Sequence, residues 1–516
     1  MTDSDSKQKL YFNGLNADGG YLFEPMDADE LAELAHRQLT GRQVREQAHL
    51  KELQWRAKWQ REANLGVKEG IHPGNLDQTG WGVIFPTVQP GSAEDVEQQQ
   101  IVEALKPLLD WRREQATKKS ERYFQIFRHE RGYCPGDSKQ KFLANLGIGP
   151  GPADPARGVP YYLLIVASPA VLPFHVQYQL DVQYAVGRIH FDSLAEYASY
   201  AASVVAAEKR ELKLPQEVAF FGVANPDDPA TQLSRQLLVA PLADLLAQQP
   251  ASAPWQLKRY FDEAASRQTL EQLLGRGETA PALLFTASHG MGLHSGDPRQ
   301  QRRQGALVCQ DWPGPFRGSR PMSESCYFSA DHLPSDANLL GLIAFNFACF
   351  GAGTPQRDEF SPRSAEAPQE LAPTAFVSGL HKKMLGLEKG GALATIGHVE
   401  RAWGWSFMWG SGAQKAAQLT VFESALTALL AGLPVGAALE CFNQRYAELS
   451  SDLTLYLEES EFSGGADPRR LADMWTSNND ARGYVINGDP AVRLRANVQP
   501  ATSSIEGREP RGNAER

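Results

Sequence analysis

Beyond residue 155 the chain carries five short apolar runs: 161–167 (YYLLIVA), 218–224 (VAFFGVA), 283–288 (LLFTAS), 341–348 (GLIAFNFA) and 392–397 (ALATIG). Each is apolar at odd and even positions alike and is bounded by Gly, Pro or polar residues. A strand with one wet face would alternate, so these runs predict strands covered by helices on both faces. Helical patterns separate them at 192–208, 259–275 and 374–387, the last stopped by Gly390-Gly391. Two longer helices follow at about 413–431 and 435–459, the second just after Pro434. Strand alternating with helix predicts an α/β fold built on a mostly parallel sheet flanked by helices.

The first third reads differently. Residues 1–20 form a polar leader, and Asp29 to about Asn64 is rich in Ala, Leu, Glu, Gln and Arg, which favours helix. Residues 98–128 repeat that character, interrupted at Pro107, and a Gly/Pro-rich loop lies between the two at 72–91. Cys134–Gly158 is heavily punctuated by Gly and Pro and reads as a linker. The expected division is a mainly helical extension over 1–155, two α/β subdomains over 156–258 and 259–496, and a disordered tail over 497–516.

Composition narrows the function classes. With 42% apolar and 22% charged residues, the 516-residue chain is neither fibrous nor wholly disordered. Its 51 basic against 61 acidic residues give 51 − 61 = −10, which argues against nucleic acid as the main ligand. The start lacks the basic-then-apolar pattern of a secretory signal. The longest apolar run, 339–350, falls far short of the ~20 residues that span a bilayer, so no membrane partner is expected. Five scattered cysteines make no disulfide framework. A reduced, cytosolic protein is the expectation.

In a parallel α/β sheet, functional groups gather where strands end. After LLFTAS comes His289-Gly290, and after GLIAFNFA comes Cys349, followed by Phe350-Gly351-Ala352-Gly353. A thiol needs a neighbouring imidazole or a helix N-terminus to ionise at neutral pH. Gly290 would let substrate backbone approach the imidazole, and its N–H, like that of Cys349, could face a developing oxyanion. The alternatives are an inert core cysteine and a hydrogen-bonded structural histidine. Cys309 competes as nucleophile, and His294 and His398 compete as base.

A strand ending in His-Gly and a later one ending in Ala-Cys-small-Gly resemble the caspase-like (clan CD) cysteine peptidases, especially the gingipain-like and CHAT families. Further stretches agree: QGALVCQDW (304–312) leading into the nucleophile strand, GGALATIGHVERAWGWSF (390–407), the Gly-Asp-Pro of YVINGDPAVRL (484–494), and the Asp…Tyr…Gly-Arg of DVQYAVGRIHFDSLAEYASYAASVVAAE (181–208). The resemblance spans roughly 160–495, with nothing recognised over 1–155. It implies a caspase-like catalytic subdomain over 259–496 and a gingipain-like one before it. It also implies His289 as general base, Cys349 as nucleophile, the amides of Gly290 and Cys349 as oxyanion hole, and chemistry without metal or cofactor. One departure stands out. Where many relatives have Asp or Gln two residues before the nucleophile, this chain has Phe347, so the primary specificity pocket does not carry over.

Asp311, Glu400 and Arg401 are candidates to line that pocket, a carboxylate selecting Arg or Lys and Arg401 selecting Asp or Glu. Their alternative is ordinary loop charge. Trp403 and Trp405 either clamp an extended peptide or pack their loop on the core. Residues 353–373 read as a mobile loop, in which Arg357 and Arg363 are candidate processing sites by analogy with caspases. Arg299, Arg302, Arg303, Arg317 and Arg320 make 295–325 either a solvated basic loop or a dock for an acidic partner. Asp227-Asp228 suits calcium, or an Asx-type turn before a helix. The expected function is a cysteine endopeptidase acting on protein or peptide substrate under a regulatory partner, with a bacterial defence or cell-death role implied by analogy. A catalytically inactive interaction module and a thiol acyltransferase are the alternatives.

Overall fold

The structure, a computed structural model, describes residues 13–22, 25–41, 66–149, 151–209, 214–276, 280–315, 321–358, 369–409, 416–463 and 467–496. Arg317, Arg320, Arg363, the tail, most of the leader and the predicted helix beyond residue 41 lie outside these residues.

In chain order the strands are β1 (Gly14–Asn16), β2 (Trp81–Ile84), β3 (Phe124–Phe127), β4 (Tyr162–Val166), β5 (Ala185–Ile189), β6 (Glu217–Gly222), β7 (Gln256–Phe261), β8 (Leu283–Ala287) and β9 (Gly290–Gly292). Next come β10 (Leu307–Val308), β11 (Tyr327–Phe328), β12 (Ile343–Phe347), β13 (Gly353–Thr354), β14 (Phe376–Val377), β15 (Ala394–His398), β16 (Met408–Trp409), β17 (Ala416–Ala417) and β18 (Tyr484–Gly488). Ten of them form one sheet in the order β3-β2-β4-β5-β18-β15-β12-β8-β6-β7. Every neighbouring pair is parallel except β15 with β18. Two parallel blocks therefore meet head to tail along that one antiparallel seam.

All five apolar runs became strands of this sheet, and β4, β8, β12 and β15 are buried along their whole length. The covering aromatics explain why. Phe345 of β12 packs against Phe285, Phe422, Phe442 and Tyr484 at ring separations of 5.2–5.9 Å. Each such side chain contributes about 1.5–3 kcal/mol by leaving water.

The expectation of a helical extension needs correction. Residues 81–84 and 124–127 supply one edge of the main sheet, and β2 pairs directly with β4 across the expected boundary at 155. They were hidden because one strand is four residues inside a Gly/Pro-rich stretch and the other closes a helical pattern. The helical parts of that region, Ala93–Ala104 and Lys106–Ala116, break beside Pro107 as expected. The 156–258 span is also divided: β4 and β5 belong to one block, β6 and β7 to the other. Residues 256–261, assigned in part to a helix, form the far edge strand, and the helix waits for its Ser266 cap.

The Gly-Asp-Pro turn after β18 anchors the block that holds β2, β4 and β5. The Asp489 carboxylate accepts from Trp81 Nε1 at 2.9 Å and from Arg112 Nε at 2.7 Å. Arg112 also spans both oxygens of Glu208 at 2.7 Å. All three charged groups are buried, so each needs the others to offset its desolvation. Burial lowers the Arg112 pKa, but the two carboxylates outweigh it and the net shift is upward. In the Asp…Tyr…Gly-Arg stretch, buried Arg188 donates to the carbonyls of Ala167 and Leu172 and to Gln177, fixing the loop after β4. A Cβ on Gly187 would fall 2.0 Å from the Gly488 carbonyl, so only glycine lets β5 approach β18 there.

A small second sheet, β1-β9-β10-β11, lies above the ends of β8 and β12. Its first strand comes from the amino-terminal segment, and its second is the continuation of the chain past His289.

Candidate active site

β8 and β12 are in-register neighbours, with Ala287 opposite Phe347. The Ser288 N–H reaches the Phe347 carbonyl at 3.1 Å, so pairing persists one step further. His289 and Cys349 each come two residues after that last matched pair, at the same end of the sheet. The residues just beyond them crowd together: a Cβ on Gly290 would fall 1.8 Å from the Cys349 carbonyl oxygen and 2.8 Å from its nitrogen. Past the thiol the chain turns at once, Phe350 taking a φ of 57° and donating its N–H to the Glu400 carbonyl. That left-handed conformation is costly without Gly, and its appearance beside a reactive side chain marks the position as special.

His289 is wholly buried. Its Nε2 lies 2.8 Å from Asp228 Oδ2, while no group among the described residues bonds its Nδ1. The rings of Trp312 and Tyr21 meet it edge-on at 5.7 and 6.1 Å. Asp228 is equally buried, caps the helix Pro229–Ser234, and accepts from Thr231 and, at 2.8 Å, from the Tyr21 hydroxyl. Burial pushes its carboxyl pKa up, but the His289 charge and these hydrogen bonds prevail and hold it down at about 2. An imidazole held at Nε2 by a carboxylate has its Nδ1 free to accept a proton.

Cys349 is also wholly buried, its Sγ accepting from the Ala402 N–H at 3.3 Å. Burial pushes the thiol pKa up to about 12, against which the Ala402 N–H works only in part. The site is closed by the segment 13–22. A Cβ on Gly14 would sit 3.3 Å from Cys349 Sγ, and the Gly290 N–H donates to the Asn13 carbonyl at 3.2 Å.

Asp228 is the further candidate residue that sequence reasoning misses, since Asp227-Asp228 reads there only as a turn or a calcium site. The turn is present, with Asp227 at φ 54°. A signal for the further role exists: run 218–224 becomes β6, the neighbour of β8, and the same strand-end rule points to the residues just after it.

The competing residues have partners of their own. Cys309 is buried against the Leu307 carbonyl, and burial raises its pKa strongly. His294 is exposed. His398, one strand to the other side of β12, turns its Nε2 to the Asp480 carbonyl at 2.8 Å and its ring to Tyr484. Asp311 bonds the Arg267 N–H at the start of the helix Arg267–Glu271. Arg401 is buried and spans both Asp358 oxygens at 2.6 Å, with Glu400 as a further partner. Trp403 and Trp405 sit in a core cluster with Leu31, Ala35 and Trp475, the packing alternative of the two. Asp480 holds their loop through the Trp403 N–H and the Ser406 hydroxyl. In the basic insert, Arg299 pairs with Asp297, Arg302 with Asp331, and Arg303 with Asp331 and Glu324.

Among the described residues, no group of three His, Cys, Asp or Glu side chains is placed to hold a metal. No described helix is long and apolar enough to cross a membrane.

No family model and no curated protein matches the chain. Solved structures similar to it include one described as "Structure of Protease", 13% identical with a TM-score of 0.43, covering 82% of this chain and 80% of its own. Another is the complex of Porphyromonas gingivalis RgpB pro- and mature domains, 12% identical with a TM-score of 0.40, covering 81% and 80%. Similarity at that level assigns no role to any residue.

Proposed function

We propose that this chain is a cysteine endopeptidase of the caspase-like, gingipain/CHAT type. The observation that carries the reading is the placement of His289 and Cys349 at matched ends of adjacent parallel strands, with His289 oriented by Asp228 and its Nδ1 unbonded. In the open site, Nδ1 takes the thiol proton and Sγ attacks the carbonyl carbon of an extended peptide. The amide of Gly290, with that of Cys349, receives the oxyanion. The imidazolium returns its proton to the leaving amine, and water, deprotonated by the same imidazole, releases the acyl group. Asp228 keeps the ring in one orientation and offsets its positive charge.

The test is incubation with a degenerate peptide library, with Cys349→Ala and Cys309→Ala in parallel. Cleavage lost with Cys349→Ala and kept with Cys309→Ala is the expected result; cleavage indifferent to Cys349→Ala defeats the reading. Transfer of the acyl group to an added amine in place of hydrolysis would make the chain an acyltransferase. The full burial of Cys349 favours a second reading, a non-catalytic interaction module. It predicts that phenotypes survive Cys349→Ala.

A further inference from the structure

The segment that covers the dyad lies in it as a peptide substrate would. The Asn13 carbonyl sits on the Gly290 N–H, the amide assigned above to the oxyanion. The next α-carbon, Gly14, is the one whose Cβ would approach Cys349 Sγ to 3.3 Å. From there Gly14, Leu15 and Asn16 pair in parallel with Gly290, Met291 and Gly292. Leu22 returns its N–H to the Gly14 carbonyl, and its side chain packs where a Cβ on Gly14 or Gly292 would have to go. Tyr21 completes the hold through Asp228 and the His289 ring.

The two residues flanking that peptide bond are specific. Asn13 is only 4% exposed, and its Oδ1 has no hydrogen-bond partner among the described groups. A buried, unpaired carboxamide oxygen costs about 1–3 kcal/mol, which argues for a role other than stability. A side chain at Gly14 would displace Leu22, since a Cβ would come within 2.6 Å of its Cδ1.

We propose, on the basis of the peptidase reading, that the Asn13–Gly14 bond is a substrate of Cys349 in the same chain. This makes it a processing site whose cleavage opens the active site to other peptides carrying a carboxamide residue on the acyl side. Sγ bonds to the Asn13 carbonyl carbon as the thiol proton passes to His289. The C–N bond to Gly14 breaks, and the Gly14 nitrogen takes that proton. Water then hydrolyses the thioester, freeing the Asn13 carboxylate and restoring the thiol. Tying the peptide to the site in advance supplies the effective concentration that an added peptide must provide by diffusion.

Intact-mass measurement of the purified full chain over time tests this. The expected product begins at Gly14, is absent with Cys349→Ala, and forms with a first-order rate constant independent of protein concentration. Asn13→Gln, checked for an unchanged unfolding midpoint, should slow it by about tenfold or more. Deamidation at Asn-Gly leaves the chain intact and is thereby distinguished. Leu22→Ala, which removes the side chain packed over Gly14 and Gly292, supplies an opened form for added peptides. If the opened form cuts peptides while the full chain stays whole or is cut elsewhere, the segment is a bound inhibitor, and this proposal falls while the peptidase stands. If neither is cut, both fall. An apparent first-order rate constant that rises with protein concentration overturns the same-chain assignment.

Discussion

His289 Nε2 and Asp228 Oδ2 are 2.8 Å apart with both side chains fully buried. In the proposed mechanism such a pair leaves the imidazole only its Nδ1 for chemistry and makes the carboxylate a positioning group. Asp228→Asn keeps the shape but removes the charge that offsets an imidazolium. The expected outcome is a kcat lower by about 10²–10⁴ with little change in KM. A merely structural Asp228 would lower the unfolding midpoint without this split between kcat and KM.

The same pair sets an acid limit on stability. The folded Asp228 carboxyl titrates at about 2 against an ordinary 3.8. A depressed acid stabilises the fold fully above the unfolded value, and that stabilisation is lost as pH falls towards the folded one. The contribution is about 2–3 kcal/mol above pH 4, fading between pH 4 and 2. Denaturant unfolding of wild type and Asp228→Asn across that window checks it: the two curves should converge at the acid end.

Cys349 should be a slow thiol of the native chain, as should the equally buried Cys309. Burial pushes its pKa up to about 12, and iodoacetamide attacks the thiolate. Cys134 is exposed and should label first, with Cys441 between them. Tyr21→Ala loosens the covering segment and should raise Cys349 labelling at least tenfold while leaving Cys134 unchanged. Peptide mapping of the labelled chain reads both. Equal labelling of Cys349 in the two chains would mean that something other than residues 13–22 buries it.

The central strands were legible because burial on both faces leaves an unbroken apolar run, which local sequence records directly. The edges were not. β2 and β3 are four residues each, and their strand character comes from pairing with β4, a contact that no local pattern encodes. His289 and Cys349 could be picked out as strand-end residues with small neighbours. Asp228 could not be paired with a base 61 positions away, because Asp-Asp-Pro already has a sufficient local explanation as a helix start. Residues 13–22, polar and rich in Gly and Asn, read as a leader. Their structure is borrowed from β9, and so is their proposed role. For Arg401 and the Trp403/Trp405 loop the residue types were informative but their direction was not, since a charge beside a cleft and one beneath it look alike in sequence.

Arg401 decides between those two positions. As a pocket residue it would select acidic side chains, and Arg401→Ala would raise KM for acidic peptides without touching stability. Its observed place is different: the guanidinium is 1% exposed and grips both oxygens of Asp358, itself wholly buried, with Glu400 alongside. Removing one member of a buried ion pair strands the other, at a cost of about 3–5 kcal/mol. Arg401→Ala should therefore lower the unfolding free energy by that much. Glu400 has a φ of 70° and its carbonyl holds the Phe350 N–H beside the thiol. Damage at Arg401 should thus also reach kcat through the Cys349 turn, for acidic and basic peptides alike. A kcat that falls equally for both classes, together with reduced stability, is the expected pattern. A change confined to KM for acidic peptides would return Arg401 to the pocket.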